Sequence, residues 1–177
     1  MIKTPIKLKT PLDLKKISKL KAGDIIRLSG TVIGARDAAH KRIISSIKKG
    51  EKLPIQLKNA TIFYLGPSPA PPGKICGSIG PTTSERMDVY TEPLLKEGLK
   101  AMIGKGKRGT GLRELLKKYR AVYFAAPGGV AAYLAKKVKK IDIIAYKDLG
   151  PEAVFSLVID DLPLIVAYDI FGGDVFK

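Results

Sequence analysis

Apolar residues follow two spacings along this chain, and each predicts a different kind of element. Short apolar runs bounded by glycine, proline or charged residues are typical of strands, whereas apolar residues three and four positions apart are typical of helices. The runs predict strands at residues 24–30, 60–65, 75–79, 101–103, 121–126, 141–146, 154–159 and 164–168. The helical spacing predicts helices at residues 37–49, 84–97, 112–119 and 130–137. Strands that alternate with helices and then follow one another directly indicate a layered, mixed-sheet α/β fold.

The positions of the prolines and the length of the chain add three predictions: a helix end or kink, a surface loop and the number of domains. Pro93 lies inside the predicted helix at 84–97, and because proline lacks an N–H and clashes with the preceding turn, we expect it to end or kink that helix. The proline cluster at 67–73 predicts an extended surface loop. A length of 177 residues predicts one domain spanning residues 1–177, of which residues 1–20 form a basic N-terminal segment.

The chain is strongly basic, with a formal net charge of +16. Such an excess of positive charge can bind nucleic acid or an acidic partner protein, or it can simply keep the surface soluble. Because no RNA- or DNA-binding signature accompanies the lysines, a basic nucleic-acid-binding module is a remote alternative, and we expect no nucleic acid partner. Apolar runs fall short of the ~20 residues of a membrane span, and no apolar secretory signal is recognisable. We therefore expect no membrane partner and a cytoplasmic location; the abundance of lysine fits a thermophilic source.

One cysteine and one histidine, Cys76 and His40, limit the metal chemistry of the chain. Iron–sulfur clusters need several thiolates, and zinc sites use sets of three or four Cys and His ligands. We therefore expect this chain to bind no metal in either usual way. A single cysteine also excludes an internal disulfide and fits a reducing compartment.

Two segments place an arginine beside small hydroxyl or carboxylate residues, at turns that open predicted helices. They are Gly-Ala-Arg-Asp-Ala-Ala-His-Lys-Arg at 34–42 and Gly-Pro-Thr-Thr-Ser-Glu-Arg-Met-Asp at 80–88. Free backbone N–H groups and the positive end of the helix dipole favour anions at such turns. Arg36 and Arg86 could each bind a carboxylate through two parallel hydrogen bonds. The two segments therefore predict a site for a small dicarboxylate.

Each residue of these segments also has an ordinary structural interpretation. Thr82 with Glu85 three residues later matches a capping box, in which the threonine begins a helix. Arg36 could pair with a surface acid, and Asp37 could cap the helix or orient an arginine. His40 lies one helical turn after Arg36 and could face the same site or be structural.

Lys105 lies between two glycines in Met-Ile-Gly-Lys-Gly at 102–106. Flanking glycines let a backbone approach a ligand closely. The spacing of a phosphate-binding loop is absent, however, so Gly-Lys-Gly alone does not identify a ligand.

These three segments, with Asp-Leu-Gly-Pro-Glu-Ala at 148–153, resemble the beta subunit, or C-terminal domain, of class I (iron–sulfur-dependent) fumarate hydratases and of the related L-tartrate dehydratases. The resemblance implies a compact "swivelling" β/β/α domain. It implies a [4Fe–4S] cluster that is carried by a cysteine-bearing alpha subunit and not by this chain. The implied assembly is α2β2, with the active site at the interface between the subunits.

The resemblance also implies roles for individual residues. Three cations would bind the carboxylates of the substrate: Arg36, Arg86 and Lys105. Thr82 would transfer a proton, and His40 is a second catalytic candidate. Thr83 and Asp37 would support them. The implied reaction interconverts fumarate and (S)-malate, and dehydration of L-tartrate is the alternative within the family.

Overall fold

The computed structural model describes residues 4–177. Within that range the strands are β1 (Ile6–Lys9), β2 (Ile25–Gly34), β3 (Thr61–Phe63), β4 (Ala101–Gly104), β5 (Val122–Ala125), β6 (Val138–Ala145) and β7 (Val154–Tyr168). The α-helices of the same range are α1 (Leu14–Ile17), α2 (Asp37–Lys49), α3 (Asp88–Lys96), α4 (Leu112–Tyr119) and α5 (Ala131–Ala135). Short 3₁₀ segments lie at Glu85–Met87 and Lys147–Glu152.

The strands form one sheet in the order β1-β2-β3-β4-β5-β7-β6, and β2 also pairs with β7, so the sheet closes into a barrel. Strands β1 to β5 are parallel to their neighbours in this series. Strand β7 is antiparallel to β2, β5 and β6. This architecture confirms the mixed α/β fold, while the "swivelling" β/β/α description stays a prediction, as does the division into a single domain.

The strands of the barrel separate two apolar clusters. Ile103 and Phe124 belong to a cluster that also contains residues of α1 and β7. Met102 and Tyr123, one position away on the same strands, belong to a cluster beneath α2, α3 and α4. All four side chains are fully buried. Because successive side chains of a strand point to opposite faces, β4 and β5 are buried on both sides, which explains their continuous apolar runs.

The basic segment predicted at 1–20 is part of the packed structure where it is described; residues 1–3 lie outside the described residues. Residues 4–20 contain β1 and α1. Leu12, Ile17 and Leu20 are at most 1% exposed and belong to the first apolar cluster. The lysines therefore line the exposed side of a segment whose apolar side is buried.

The strand predicted at residues 75–79 is wrong. Its backbone bonds to the proline-rich loop instead of to the sheet: Ser78 N donates to Ser68 Oγ at 2.8 Å, and Ser68 N donates to the carbonyl of Ser78 at 3.2 Å. Ile79 N donates to the carbonyl of Ala131 in α5 at 3.3 Å. Ile79 is buried in this loop region, whereas Ile75 is 54% exposed. Periodicity alone cannot distinguish a short apolar run of this kind from a strand.

Two further expectations are corrected. Pro93 lies within α3 and does not end it, and the last turn closes through Glu97 N, which donates to the carbonyl of Pro93 at 3.2 Å; the alternative of a kink stays a prediction. The strands predicted at 154–159 and 164–168 are the two halves of β7, which both pair with β2 across a bulge. The predicted helix at 37–49 is confirmed as α2. No helix within residues 4–177 is long and apolar enough to cross a membrane.

Candidate active site

The two arginine segments and the lysine segment meet at one rim of the barrel. Arg36 follows the carboxyl end of β2, and Lys105 follows that of β4. Ligand sites of parallel sheets commonly lie outside these carboxyl ends. The segment that connects β3 to α3 crosses the same rim: Thr82 N donates to the carbonyl of Tyr64 at 2.9 Å, and Thr83 pairs with Lys105 in a parallel bridge. The fold thus brings the predicted site residues together.

Arg86 is held in a fork of hydrogen bonds. Its Nε donates to Asp37 Oδ1 at 2.6 Å, and its Nη2 donates to Asp37 Oδ2 at 3.1 Å. The same Nη2 donates to Thr82 Oγ1 at 2.5 Å. The capping-box interpretation of Thr82 is wrong, because the 3₁₀ turn begins at Glu85 and the threonine hydroxyl bonds to a guanidinium instead of to a backbone N–H.

Arg36 is paired with two carboxylates, one of which was not predicted. Its Nη2 lies 2.8 Å from Glu152 Oε1, and its Nε lies 3.4 Å from Asp37 Oδ2. The second oxygen of Glu152 accepts from Ala38 N at 2.8 Å and so satisfies one of the free N–H groups at the start of α2. The cap of α2 therefore comes from Glu152, while Asp37 orients both arginines. Only the family segment at 148–153 pointed towards Glu152.

The charges of this cluster are partly compensated. Burial opposes ionisation of Asp37, but the hydrogen bonds and positive charge of Arg86, with the charge of Arg36, outweigh it and lower the pKa of Asp37. The hydrogen bond to Asp37 in turn raises the pKa of Arg86. With Glu152 and Lys105 included, three cations face two carboxylates. One positive charge remains in excess at neutral pH.

The backbone of Lys105 is fixed, and its side chain is free. Lys105 N donates to Ser84 Oγ at 2.9 Å, and Ser84 N donates to the carbonyl of Lys105 at 3.2 Å. A side chain at Gly104 would overlap the Ser84 hydroxyl, so this close approach requires glycine. Within residues 4–177 no carboxylate pairs with the Lys105 ammonium, which is exposed. This cation can therefore bind a ligand without first breaking an ion pair.

His40 lies beneath the cluster instead of within it. Its side chain has no exposed surface, and its ring packs edge-on against Tyr64 at 5.4 Å between centroids. Nδ1 lies 2.9 Å from the carbonyl of Arg36; because a carbonyl only accepts, Nδ1 carries the proton. Burial lowers the pKa of His40 to about 4. The hydrogen bond to the carbonyl of Arg36 connects this neutral, buried imidazole to the backbone of the cluster.

The cluster lies on an open surface. Thr83, Arg86 and Lys105 are exposed, and 45% of the Arg86 side chain is accessible. Cavities of about 490 and 460 Å³ lie elsewhere, one around Cys76 and one beside Arg27. A site that excludes water from a small substrate would need a further wall over this rim.

The described residues do not form a binding set for an iron–sulfur cluster. Within residues 4–177, no group of three or more His, Cys, Asp or Glu side chains is arranged to hold a metal ion. Cys76 is the single cysteine of the sequence and lies by the proline-rich loop, away from the arginines. These side chains therefore do not fit an iron–sulfur cluster.

Comparison with known proteins decides the family. Residues 2–177 match the family model described as Fumarase C-terminus. The chain belongs to this family. The match confirms the resemblance that the arginine and lysine segments indicate, and it covers nearly the whole sequence.

Three relatives show how similar this chain is in sequence to other proteins. A Methanocaldococcus jannaschii protein provisionally named L(+)-tartrate dehydratase subunit beta is 42% identical over 172 residues, which cover 94% of this chain and 88% of that protein. The L(+)-tartrate dehydratase subunit beta of Escherichia coli is 32% identical, covering 95% of this chain and 85% of that subunit. The aerobic class I fumarate hydratase of Salmonella typhimurium is 35% identical over 93% of this chain, which spans only 29% of that enzyme.

Proposed function

We propose that this chain is the beta subunit of a hydro-lyase that interconverts fumarate and (S)-malate. One observation carries the proposal: Thr82 Oγ1 accepts a hydrogen bond from Arg86 at the rim where Arg36 and Lys105 also lie. The arrangement combines a hydroxyl with cations suited to a small dicarboxylate. Dehydration of L-tartrate is the second candidate, because two relatives that match most of this chain carry that name.

The cations would act on the substrate carboxylates. Removing a proton from the carbon next to a carboxylate places more negative charge on that carboxylate. Preorganised cations stabilise that charge more than they stabilise the ground state, which lowers the barrier. Asp37 and Glu152 fix the arginine side chains in advance, so less rotamer entropy is lost when a substrate binds. The free Lys105 ammonium supplies the uncompensated charge.

Thr82 would transfer the proton. A threonine hydroxyl is a weak acid and base, and it needs help from a neighbouring charge. Arg86 supplies that help, since its Nη2 donates to Oγ1 and stabilises the deprotonated form of Thr82. Thr83 supports the arrangement through its backbone pairing with Lys105. His40, which is buried and neutral, suits a positioning role at the carbonyl of Arg36 better than proton transfer.

The missing wall over the rim would come from a cysteine-bearing alpha subunit. Two of the relatives are named as subunits beta, which implies a partner for them. The exposed cluster offers a surface to which such a partner could bind. In this proposal the [4Fe–4S] cluster belongs to the alpha subunit, the assembly is α2β2, and the active site is shared between the chains.

Anaerobic co-expression with the alpha subunit tests the proposal. We expect the complex to hydrate fumarate, measured by loss of its ultraviolet absorbance, and neither chain to do so alone. A panel with (S)-malate and L-tartrate separates the two candidate reactions. Lys105→Ala should lower kcat/KM by about 10²-fold or more, whereas its exposed neighbour variant Lys107→Ala should not. Full activity from this chain alone, or equal losses in both variants, would overturn the proposal.

A further inference from the structure

Arg108 is the largest fully buried side chain within residues 4–177, with 1% of its surface exposed. A guanidinium is costly to bury unless partners satisfy its charge and its N–H groups. Nε donates to Asp88 Oδ1 at 2.5 Å, and Nη2 donates to Thr91 Oγ1 at 3.0 Å. The guanidinium also lies over the rings of Tyr64 and Tyr123, at 5.3 and 4.9 Å from their centroids. An apolar side chain would fill this volume without those requirements, so the charge needs an explanation.

The same ion pair fixes a loop. Asp88 uses its second oxygen, Oδ2, to accept from Gly109 N at 2.7 Å. The backbone N of Arg108 donates to the hydroxyl of Tyr168 at 3.1 Å. With the Ser84 bonds at Lys105, the loop at 105–109 is therefore tied at both ends to residues outside the loop.

The ion pair also connects the two halves of the candidate site. Asp88 begins α3 two residues after Arg86, and Arg108 follows Lys105 by three residues. A displacement of either segment would stretch the bond between Asp88 and Arg108. The Arg108 side chain is fully buried, and both oxygens of Asp88, whose side chain is 25% accessible, already accept from Arg108 and Gly109. We therefore assign neither residue a contact with the substrate.

We propose that Asp88 and Arg108 are positioning residues that hold the Lys105 ammonium in register with Thr82 and Arg86. The inference rests on the proposed function, in which Lys105 binds the substrate. Breaking the pair should displace the loop that carries Lys105 while the barrel strands keep their pairing. The expected consequence is loss of productive binding at Lys105 without loss of the fold.

Amide hydrogen exchange on the full chain tests the structural half of the proposal without an activity assay. Asp88→Asn keeps the size of the side chain, but its amide nitrogen is a donor and cannot accept the bond that one carboxylate oxygen accepts from Arg108 or Gly109. We expect the amides of Lys105 and Gly109 to exchange at least tenfold faster and the amides of β2 and β7 to be unchanged. If Asp88→Asn does not fold, the milder Thr91→Val should show the same pattern. Unchanged exchange at Lys105 and Gly109 in a folded variant would overturn the proposal.

A double-mutant cycle in the assembled complex tests the functional half. A displacement of about 1 Å in a positioned group can cost about 10²-fold in rate, and we expect a loss of this order in kcat/KM for Asp88→Asn. In a Lys105→Ala background the same substitution should cost less than about twofold, because no ammonium remains to be displaced. Equal losses in both backgrounds would show a purely structural role and overturn the proposal. A native complex without activity would contradict the proposed function instead, and amide exchange would then decide the positioning role.

Discussion

Acidification from pH 7 to pH 5 should destabilise this protein through one residue, His40. Burial lowers the pKa of His40 from 6.5 to about 4 in the folded chain. Between these values the unfolded chain binds a proton that the folded chain does not, so acid favours unfolding. The contribution of the neutral histidine is fully present above about pH 6.5, falls as the pH drops, and is lost by about pH 4.

The magnitude follows from the pKa difference. A shift of about 2.5 units corresponds to roughly 3 kcal/mol, at 1.36 kcal/mol per unit, and about 2 kcal/mol of that is lost between pH 7 and pH 5. His40 is the single histidine of the sequence. Carboxylates titrate mostly below this window, and the lowered pKa of Asp37 moves its titration still lower. The loss of unfolding free energy between pH 7 and pH 5 therefore comes chiefly from His40.

Urea unfolding at pH 7, 6 and 5 measures this loss. His40→Asn is the matched control, because its amide can still donate to the carbonyl of Arg36 but does not titrate. We expect the native chain to lose about 2 kcal/mol of unfolding free energy across the window and the variant to lose little. A flat profile in the native chain, or the same slope in the variant, would refute the reasoning that burial keeps His40 neutral.

The remaining predictions concern the hydrogen bonds between Arg86 and Asp37 and the close approach of Gly104 to Ser84. Asp37→Asn should lower kcat/KM of the assembled complex about tenfold or more, because Arg86 loses the charged partner that fixes it; for so exposed a pair, urea unfolding should change by about 1 kcal/mol or less. Unaltered kinetics would contradict this. Gly104→Ala should destabilise the chain by about 1–3 kcal/mol, because its methyl group overlaps Ser84. Gly111→Ala, whose methyl group meets nothing within 4 Å, is the control, and equal losses in urea would refute the steric argument.

The sequence predicts most of the site because the residues that meet there lie in short, recognisable segments. Arg36 and Arg86 each belong to a segment with unusual composition, and Lys105 lies between glycines. Helix α2 is predicted to its ends, since its apolar stripe is regular. Local patterns of this kind can be read without knowing the tertiary structure.

The partners of these residues could not be predicted in the same way. Glu152 lies more than a hundred positions from Arg36, and it reaches Arg36 only because the start of β7 pairs with the end of β2. Arg108 lies in a basic stretch of the sequence that is typical of an exposed surface, yet it is fully buried. Both cases depend on closure of the barrel and on long-range packing, neither of which periodicity encodes.

Two carboxylates change how the site must work: Asp37, which the sequence predicts as a residue that orients an arginine, and Glu152, which it does not predict. Arginines without partners would attract a dicarboxylate strongly but would be mobile, whereas Asp37 and Glu152 hold them in place at the cost of most of their net charge. The cluster keeps one positive charge in excess, and a dicarboxylate carries two negative charges. This chain therefore compensates one of the two negative charges of the substrate. We expect the remaining positive charge to come from the surface that covers the rim, which is a physical reason for a site shared between two subunits.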